Sequence, residues 1–202
     1  MAAPIILAAT SCLEFLRRLY KDITIPFYGF NRPGAQWLGT ASGLFRFDGV
    51  SFEHYAPAAG PAFPSQTVLS LLAMPNGDLW IGYTDGGASL LRQGTNVNYG
   101  AATGLPLGRV YAFARDSGGV LWAATDGGLG RFDKGRWESV GADWGYPGKT
   151  AHYVLTDRQG ELWVASEKAL FFLRQGSKRF EPSGNSITAV WQIRAMSRRS
   201  ER

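Results

Sequence analysis

From Val110 onward the chain alternates between short apolar runs and clusters of turn-forming residues. Val110–Arg115 reads as a strand, and Asp116-Ser117-Gly118-Gly119 as the turn that ends it. Residues 120–125 read as a second strand, closed by Asp126-Gly127-Gly128. Residues 129–133 form a third, Lys134-Gly135 a tight link, and Arg136–Val140 a fourth. The turn residues are those that tolerate positive φ or bond their own backbone. Two-residue links ending in Gly, here Lys134-Gly135 and Asp48-Gly49, suit β-hairpins. The same cycle fits residues 68–100 and 151–180, and in part Trp37 to Tyr55.

The cycle is a repeat. It is anchored by Trp37, Trp80, Trp122 and Trp163, spaced 43, 42 and 41 residues apart. The text after each Trp recurs as Leu38-Gly39-Thr40, Ile81-Gly82-Tyr83, Ala123-Ala124-Thr125 and Val164-Ala165-Ser166. A Gly precedes each Trp by three residues: Gly34, Gly77, Gly119 and Gly160. Four short antiparallel strands per unit of about forty residues predict an all-β fold of propeller blades. A single blade cannot bury both of its faces, so blades must stack on their neighbours. The repeated Trp, with its large apolar area, is expected to pack between adjacent sheets.

Composition agrees. Of 202 residues, 45% are hydrophobic and 18% charged, which is a globular balance. Gly is frequent at 26 residues and aromatics reach 13%, as expected for many tight turns between short strands. The net charge of +5 sits largely in the tail, where Arg194, Arg198, Arg199 and Arg202 face only Glu201. Elsewhere Lys and Arg are scattered beside Asp and Glu, so no nucleic-acid surface is expected. With Cys12 as the single cysteine, neither a disulfide nor a Cys-based zinc site can form within the chain. No apolar stretch reaches the ~20 residues of a membrane span. Residues 2–9 are apolar but follow no Lys or Arg, which is poor support for a signal peptide.

Trp37-Leu38-Gly39-Thr40-Ala41-Ser42-Gly43-Leu44-Phe45-Arg46-Phe47-Asp48-Gly49 resembles the two-component-regulator propeller repeat. So do Asp78-Leu79-Trp80-Ile81-Gly82 and Gly127-Gly128-Leu129-Gly130-Arg131-Phe132-Asp133. The resemblance runs from about Arg32 to Gly184. Ala88-Ser89-Leu90, Ser166-Glu167-Lys168-Ala169-Leu170 and Arg174-Gln175-Gly176 depart from its pattern. It implies the sensor region of a bacterial histidine kinase or hybrid regulator. That role brings a periplasmic or other extracytoplasmic location, a membrane helix and kinase core downstream, and dimerisation through the kinase.

The chain divides into residues 1–31, 32–186 and 187–202. In the first part, residues 11–22 read as a helix. Ser11 and Glu14 form a capping box, and Leu13, Leu16, Leu19, Tyr20 and Ile23 recur at helical spacing. Residues 25–30 stand where an inner strand belongs, but Pro26 and Gly29 make them a poor one. The middle part holds four blades. Residues 187–193 read as the first strand of a fifth blade, followed by a basic tail. That suggests a fragment of a larger propeller; the alternative is a strand that closes a four-bladed ring.

No catalytic constellation is visible. The two histidines, His54 and His152, lie in different blades, on an outer and an inner strand, with no metal-ligand spacing around them. Asp85-Gly86-Gly87 and Asp126-Gly127-Gly128 lack the pattern of phosphate or calcium loops and read as turns. Neither a metal nor a cofactor is expected. Binding is the better prospect. The loops between second and third strands and those between blades share one face. That face holds Asp85, Arg109, Asp126, Lys168 and the loop 141–150 with Trp144, Tyr146 and Lys149. Aromatic loop residues stack on rings, and charges orient polar ligands. The expected role is a sensor that binds a small ligand or a protein surface. The alternatives are a propeller enzyme of the streptogramin-lyase kind and a free-standing interaction propeller.

Overall fold

The computed structural model describes residues 27–30, 36–48 and 50–184. They form four sheets of four antiparallel strands, each sheet a meander in sequence order. The first blade contains β1 (Phe27–Phe30), β2 (Gln36–Thr40), β3 (Gly43–Phe47) and β4 (Phe52–His54). The second contains β5 (Val68–Ala73), β6 (Leu79–Tyr83), β7 (Ala88–Arg92) and β8 (Thr95–Tyr99). The third contains β9 (Val110–Arg115), β10 (Leu121–Thr125), β11 (Gly128–Asp133) and β12 (Arg136–Val140). The fourth contains β13 (Tyr153–Thr156), β14 (Leu162–Ala165), β15 (Leu170–Leu173) and β16 (Glu181–Pro182). This is the all-β blade architecture expected from the repeat. The predicted helix at 11–22 and the predicted strand at 187–193 lie outside the described residues.

Residues 27–30 correct the sequence reading. They form β1, which pairs with β2 along its whole length, so the first blade starts before residue 32 and has all four strands. Pro26 precedes the strand and removes no ladder bond within it, and Gly29 stands opposite Trp37.

Two local devices each recur in two of the blades. At Lys134 and Gly135 the φ angles are 49° and 83°, the left-handed pair of a two-residue hairpin, and Gln93-Gly94 repeats them at 49° and 83°. On the other strand connection, Asp116 Oδ1 accepts the Val120 N–H at 2.9 Å and Oδ2 accepts the Trp122 indole N–H at 2.8 Å. Asp157 does the same for Glu161 at 2.9 Å and Trp163 at 2.8 Å.

The residue three places after Trp ties the next turn. The hydroxyls of Thr40 and Thr125 donate to the carbonyls of Gly43 and Gly128 at 3.1 and 3.0 Å. Ser166 donates to Ala169 at 2.9 Å, so the fourth copy keeps the tie although its text departs from the repeat. In the second copy Tyr83 instead reaches Ser89 Oγ at 2.8 Å.

The first strands of successive blades lie side by side, β1 by β5, β5 by β9 and β9 by β13. Between the blades lie three apolar clusters. The Trp of each of the first three blades enters the cluster that joins it to the following blade, whereas Trp163 packs beside Ala165 and Leu170 of its own blade. Trp37 packs beside Val68, Leu71 and Leu79. Trp80 meets Phe132 at 4.9 Å and Trp137 at 5.5 Å between ring centres. Trp122 meets Trp144 at 5.8 Å and Phe180 at 5.9 Å. Trp80 and Trp122 are 3% and 1% exposed, whereas Trp37 and Trp163 are only half-buried. The packing role predicted for all four is therefore complete at two of them.

The small residue two places after Trp makes this contact close. A methyl on Gly39 would collide with Val68 Cγ1, and one on Gly82 would reach Val110 Cβ at 2.8 Å. The first strand of the next blade seats against that bare backbone.

Candidate ligand-binding face

The connection from β8 to β9 runs against the turn that carries Asp126 and past the one that carries Asp85. It leaves a short 3-10 turn at Ala101–Thr103 through Gly104, buries Leu105 and exposes Leu107 at 70%. The Gly127 N–H then donates to the Leu107 carbonyl at 2.7 Å, and the Arg109 N–H donates to Asp126 Oδ2 at 2.9 Å. Gly108 has φ of 85° and lies so close to Asp126 that a methyl would stand 2.5 Å from the Asp126 Cβ. Only glycine combines that dihedral with that approach. The same connection passes Gly86 of the second blade, where a methyl would stand 3.1 Å from the Gly108 carbonyl oxygen.

Asp126 is the centre of the cluster. Its Oδ1 accepts the Tyr111 hydroxyl at 2.6 Å, and its Oδ2 lies 3.5 Å from Arg109 Nε. Tyr111 meets the ring of His152 edge-on at 5.4 Å, and the Arg109 guanidinium lies 6.0 Å from the Tyr111 ring centre. Partial burial works against charge on Asp126. The bonds from Tyr111 and the Arg109 N–H, with the charges of Arg109 and His152, outweigh it and hold the carboxyl below its usual range. Burial and the bond to Asp126 raise the Tyr111 phenol.

Around this cluster, Asp85 is exposed and accepts the Ser65 hydroxyl at 2.6 Å. Lys149 and Lys168 are exposed on their loops. The two loop aromatics are placed differently from expectation. Tyr146 is fully buried, meets Phe171 edge-on at 5.3 Å between ring centres and donates its hydroxyl to the Thr150 carbonyl at 2.7 Å. It is a core residue that closes its own loop, not a surface for a ligand. Trp144 is half-buried against Trp122, with the Arg131 guanidinium 5.5 Å from its ring centre. The gap left beside Trp122 by the blade joint draws both rings inward. Tyr111, His152 and Leu107 join the face unannounced by the sequence reading. The one available signal was Tyr111, an aromatic beside the first residue of an inner strand.

His54 lies exposed on β4 in the first blade, edge-on to Phe45 at 5.2 Å, and takes no part in the cluster. His152 just precedes β13, and its N–H donates to the Ala165 carbonyl at 2.8 Å. Among the described residues no three His, Cys, Asp or Glu side chains gather to hold a metal ion. No helix among them is long and apolar enough to cross a membrane.

Four meander sheets set side by side along their first strands, each locked by its Trp, define the β-propeller class. Residues 104–127 match the family model described as two component regulator propeller. The matched stretch holds Leu107, Gly108, Arg109, Tyr111 and Asp126. No curated protein matches the sequence. The fold is similar to the extracellular domain assigned to the hybrid two component system BT3049 of B. thetaiotaomicron, with 20% identity and a TM-score of 0.68. That likeness covers 79% of this chain and 23% of the other. It is similar also to the extracellular domain assigned to the one component system BT4673 of the same organism, at 19% identity and a TM-score of 0.65, over 80% and 24% of the two chains. Virginiamycin B lyase from Staphylococcus aureus follows at 16% identity and 0.56, over 79% and 53%. At these identities the likeness is one of fold. The chain spans about a quarter of the length of the two extracellular domains.

Proposed function

We propose that this chain is a ligand-sensing part of a bacterial two-component signalling protein, working outside the cytoplasm and passing its state to a kinase dimer. The observation that carries the reading is that the stretch matching the family model also builds the Asp126 cluster. The similarity to extracellular domains of signalling systems supports the location.

The ligand is a small anionic or hydroxyl-rich molecule, and the site is a binding site rather than a catalytic one. The Arg109 side chain is 55% exposed, and its contact with Asp126 uses Nε. Its two terminal amino groups have no partner among the described residues, so they are free to take a carboxylate or a pair of hydroxyls. Lys149 and Lys168 add positive charge to the same face, and Leu107 offers apolar contact. Asp126 orients Arg109, and Tyr111 and His152 brace Asp126.

The test is a thermal-shift and calorimetric screen of the protein against organic acids and acidic oligosaccharides. A compound that raises the melting temperature of the wild type but not of Arg109→Ala supports the reading. Binding that survives both Arg109→Ala and Lys149→Ala, or no binding across the screen, counts against it.

A further inference from the structure

The joints between blades are built alike, from a Trp on one blade and a receiving place on the next. The receiving place is set by two residues that oppose each other across the third and fourth strands, Leu91 and Asn96 in the second blade, Phe132 and Trp137 in the third. Leu91 shares a cluster with Trp37, and Trp80 meets Phe132 and Trp137. In the fourth blade Leu173 and Phe180 take that part for Trp122. A left-handed glycine of the connecting segment closes over each place. Gly60, Gly104 and Gly145, with φ of 84°, 87° and 71°, lie so near the carbonyls of Asn96, Trp137 and Phe180 that a methyl would collide. Asn96, Trp137 and Phe180 are accordingly 1%, 1% and 2% exposed.

The first blade has the same receiving place, and it is open. Phe47 and Phe52 oppose each other as Phe132 and Trp137 do, with ring centres 4.7 Å apart against 5.2 Å. Phe52 is only half-buried, and so is Phe45, two residues before Phe47 on the same side of the strand.

The fourth blade has the other half of a joint, also open. Its Trp163 is bonded to Asp157 as Trp122 is to Asp116, at 2.8 Å in both. Trp163 stands between Leu155 and Phe172, as Trp80 stands between Leu72 and Leu90. Yet Trp163 and Phe172 are half-buried, whereas Trp80 and Leu90 are 3% and 6% exposed. The two rings lie 5.2 Å apart, and the Arg174 guanidinium lies 5.5 Å from the centre of Phe172. Both faces are open in one molecule, so neither covers the other.

We propose that a second copy of the chain completes the joint, with Trp163 and Phe172 of one copy seated on Phe47 and Phe52 of the next. The contact is head to tail and repeats the one that Trp80 makes with Phe132 and Trp137 inside the chain. It rests on the packing of the blades and is independent of the ligand reading.

The experiment is sedimentation velocity of the full chain over a dilution series, on the unaltered protein, Phe52→Asp, Phe172→Asp and an equal mixture of the two variants. The unaltered chain should associate, and each variant alone should be monomeric. The mixture should regain a dimer and go no further, because one variant keeps its Trp163 face and the other its Phe47 and Phe52 face. A monomer from the unaltered chain at every concentration would overturn the proposal. So would association that survives in Phe52→Asp alone, which would mean that two Trp163 faces meet each other. A mixture that stays monomeric while both variants keep the circular dichroism of the unaltered chain would overturn it as well. Hydroxyl-radical footprinting gives a readout that needs no substitution. Trp163 and Phe52 should react several-fold more slowly in the concentrated sample than in the dilute one, with Trp80 and Trp122 the same in both. Reactivity at Trp163 that does not change with dilution would refute the contact.

Discussion

Trp122 donates its indole N–H to Asp116 Oδ2 at 2.8 Å, while the other oxygen of the same carboxylate accepts the Val120 N–H at 2.9 Å. One side chain therefore fixes both the turn between β9 and β10 and the orientation of the ring that joins two blades. Hydrogen bonds to a charged group contribute about 1.5–3 kcal/mol each when buried, and less where water competes. Asp116→Ala should lower the unfolding free energy by about 2 kcal/mol in urea titration, and Asp116→Asn by less because one acceptor oxygen remains. Asp157→Ala should behave alike, since it holds Trp163 by the same bonds.

Gly82→Ala should destabilise the protein by roughly 1–3 kcal/mol, the range for inserting a methyl into packed space. The added carbon would strike Ser70 Oγ first, and Val110 Cβ and Cγ1 at 2.8 Å. Ser70→Ala should recover part of that loss in the double variant. The coupling, measured by a double-mutant cycle, identifies the contact as the cause.

These two relationships show how much was legible. Trp80-Ile81-Gly82 and its copies gave the blade number, the strand order and the packing of the Trp, because spacing and residue type are themselves the repeat. The first blade's β1 was misread because propensity was weighed against Pro26 and Gly29, whereas backbone pairing with Gln36–Thr40 decides a strand that has a waiting partner. Arg109 and Asp126 were legible as candidates, and the structure brings those two into contact. The inward turn of Tyr146 and Trp144 was not, since an aromatic in a loop reads the same whether it meets solvent or the gap beside Trp122. The Tyr111–Asp126 bond was equally hidden, being a contact between residues of different strands.

Lys134 has φ of 49°, in the left-handed region that costs a residue with a Cβ about 1 kcal/mol. Asn bears that conformation more easily, and Asn-Gly is the favoured pair for such a hairpin. Lys134→Asn should therefore raise stability by about 0.5–1 kcal/mol, read as a higher urea midpoint with an unchanged slope.

Burial pushes the phenols of Tyr83 and Tyr146 well above their usual range. A raised folded value means that the protonated ring is the one the folded state holds. The stabilisation is complete below pH 10, the ordinary tyrosine value, and is lost as the pH climbs above it. Alkaline unfolding should begin in that window. Tyr146→Phe should shift it to higher pH, at a cost near neutrality of about 1 kcal/mol for the lost bond to Thr150.

Asp126 shifts the opposite way. Its carboxyl is held below the ordinary value of 3.8, so its contribution is present above that value and is lost as the pH falls below it. Asp126→Asn should flatten the acid limb of the stability curve below pH 4 and leave the neutral plateau only slightly lower, because the side chain is 38% exposed. An acid limb that is unchanged in this variant would show that Tyr111 and Arg109 do not stabilise the charged form.

The seating of Trp37, Trp80 and Trp122 on the following blade also governs how the protein comes into being. Among the described residues the joints between blades are separate, and each unites stretches about forty residues apart. Trp80 is sealed once Phe132 and Trp137 have been made, with the fourth blade still unsynthesised. Assembly can thus follow the ribosome in order, each new blade completing the one before it, and at every moment the aggregation-prone apolar sheet is the most recently finished one.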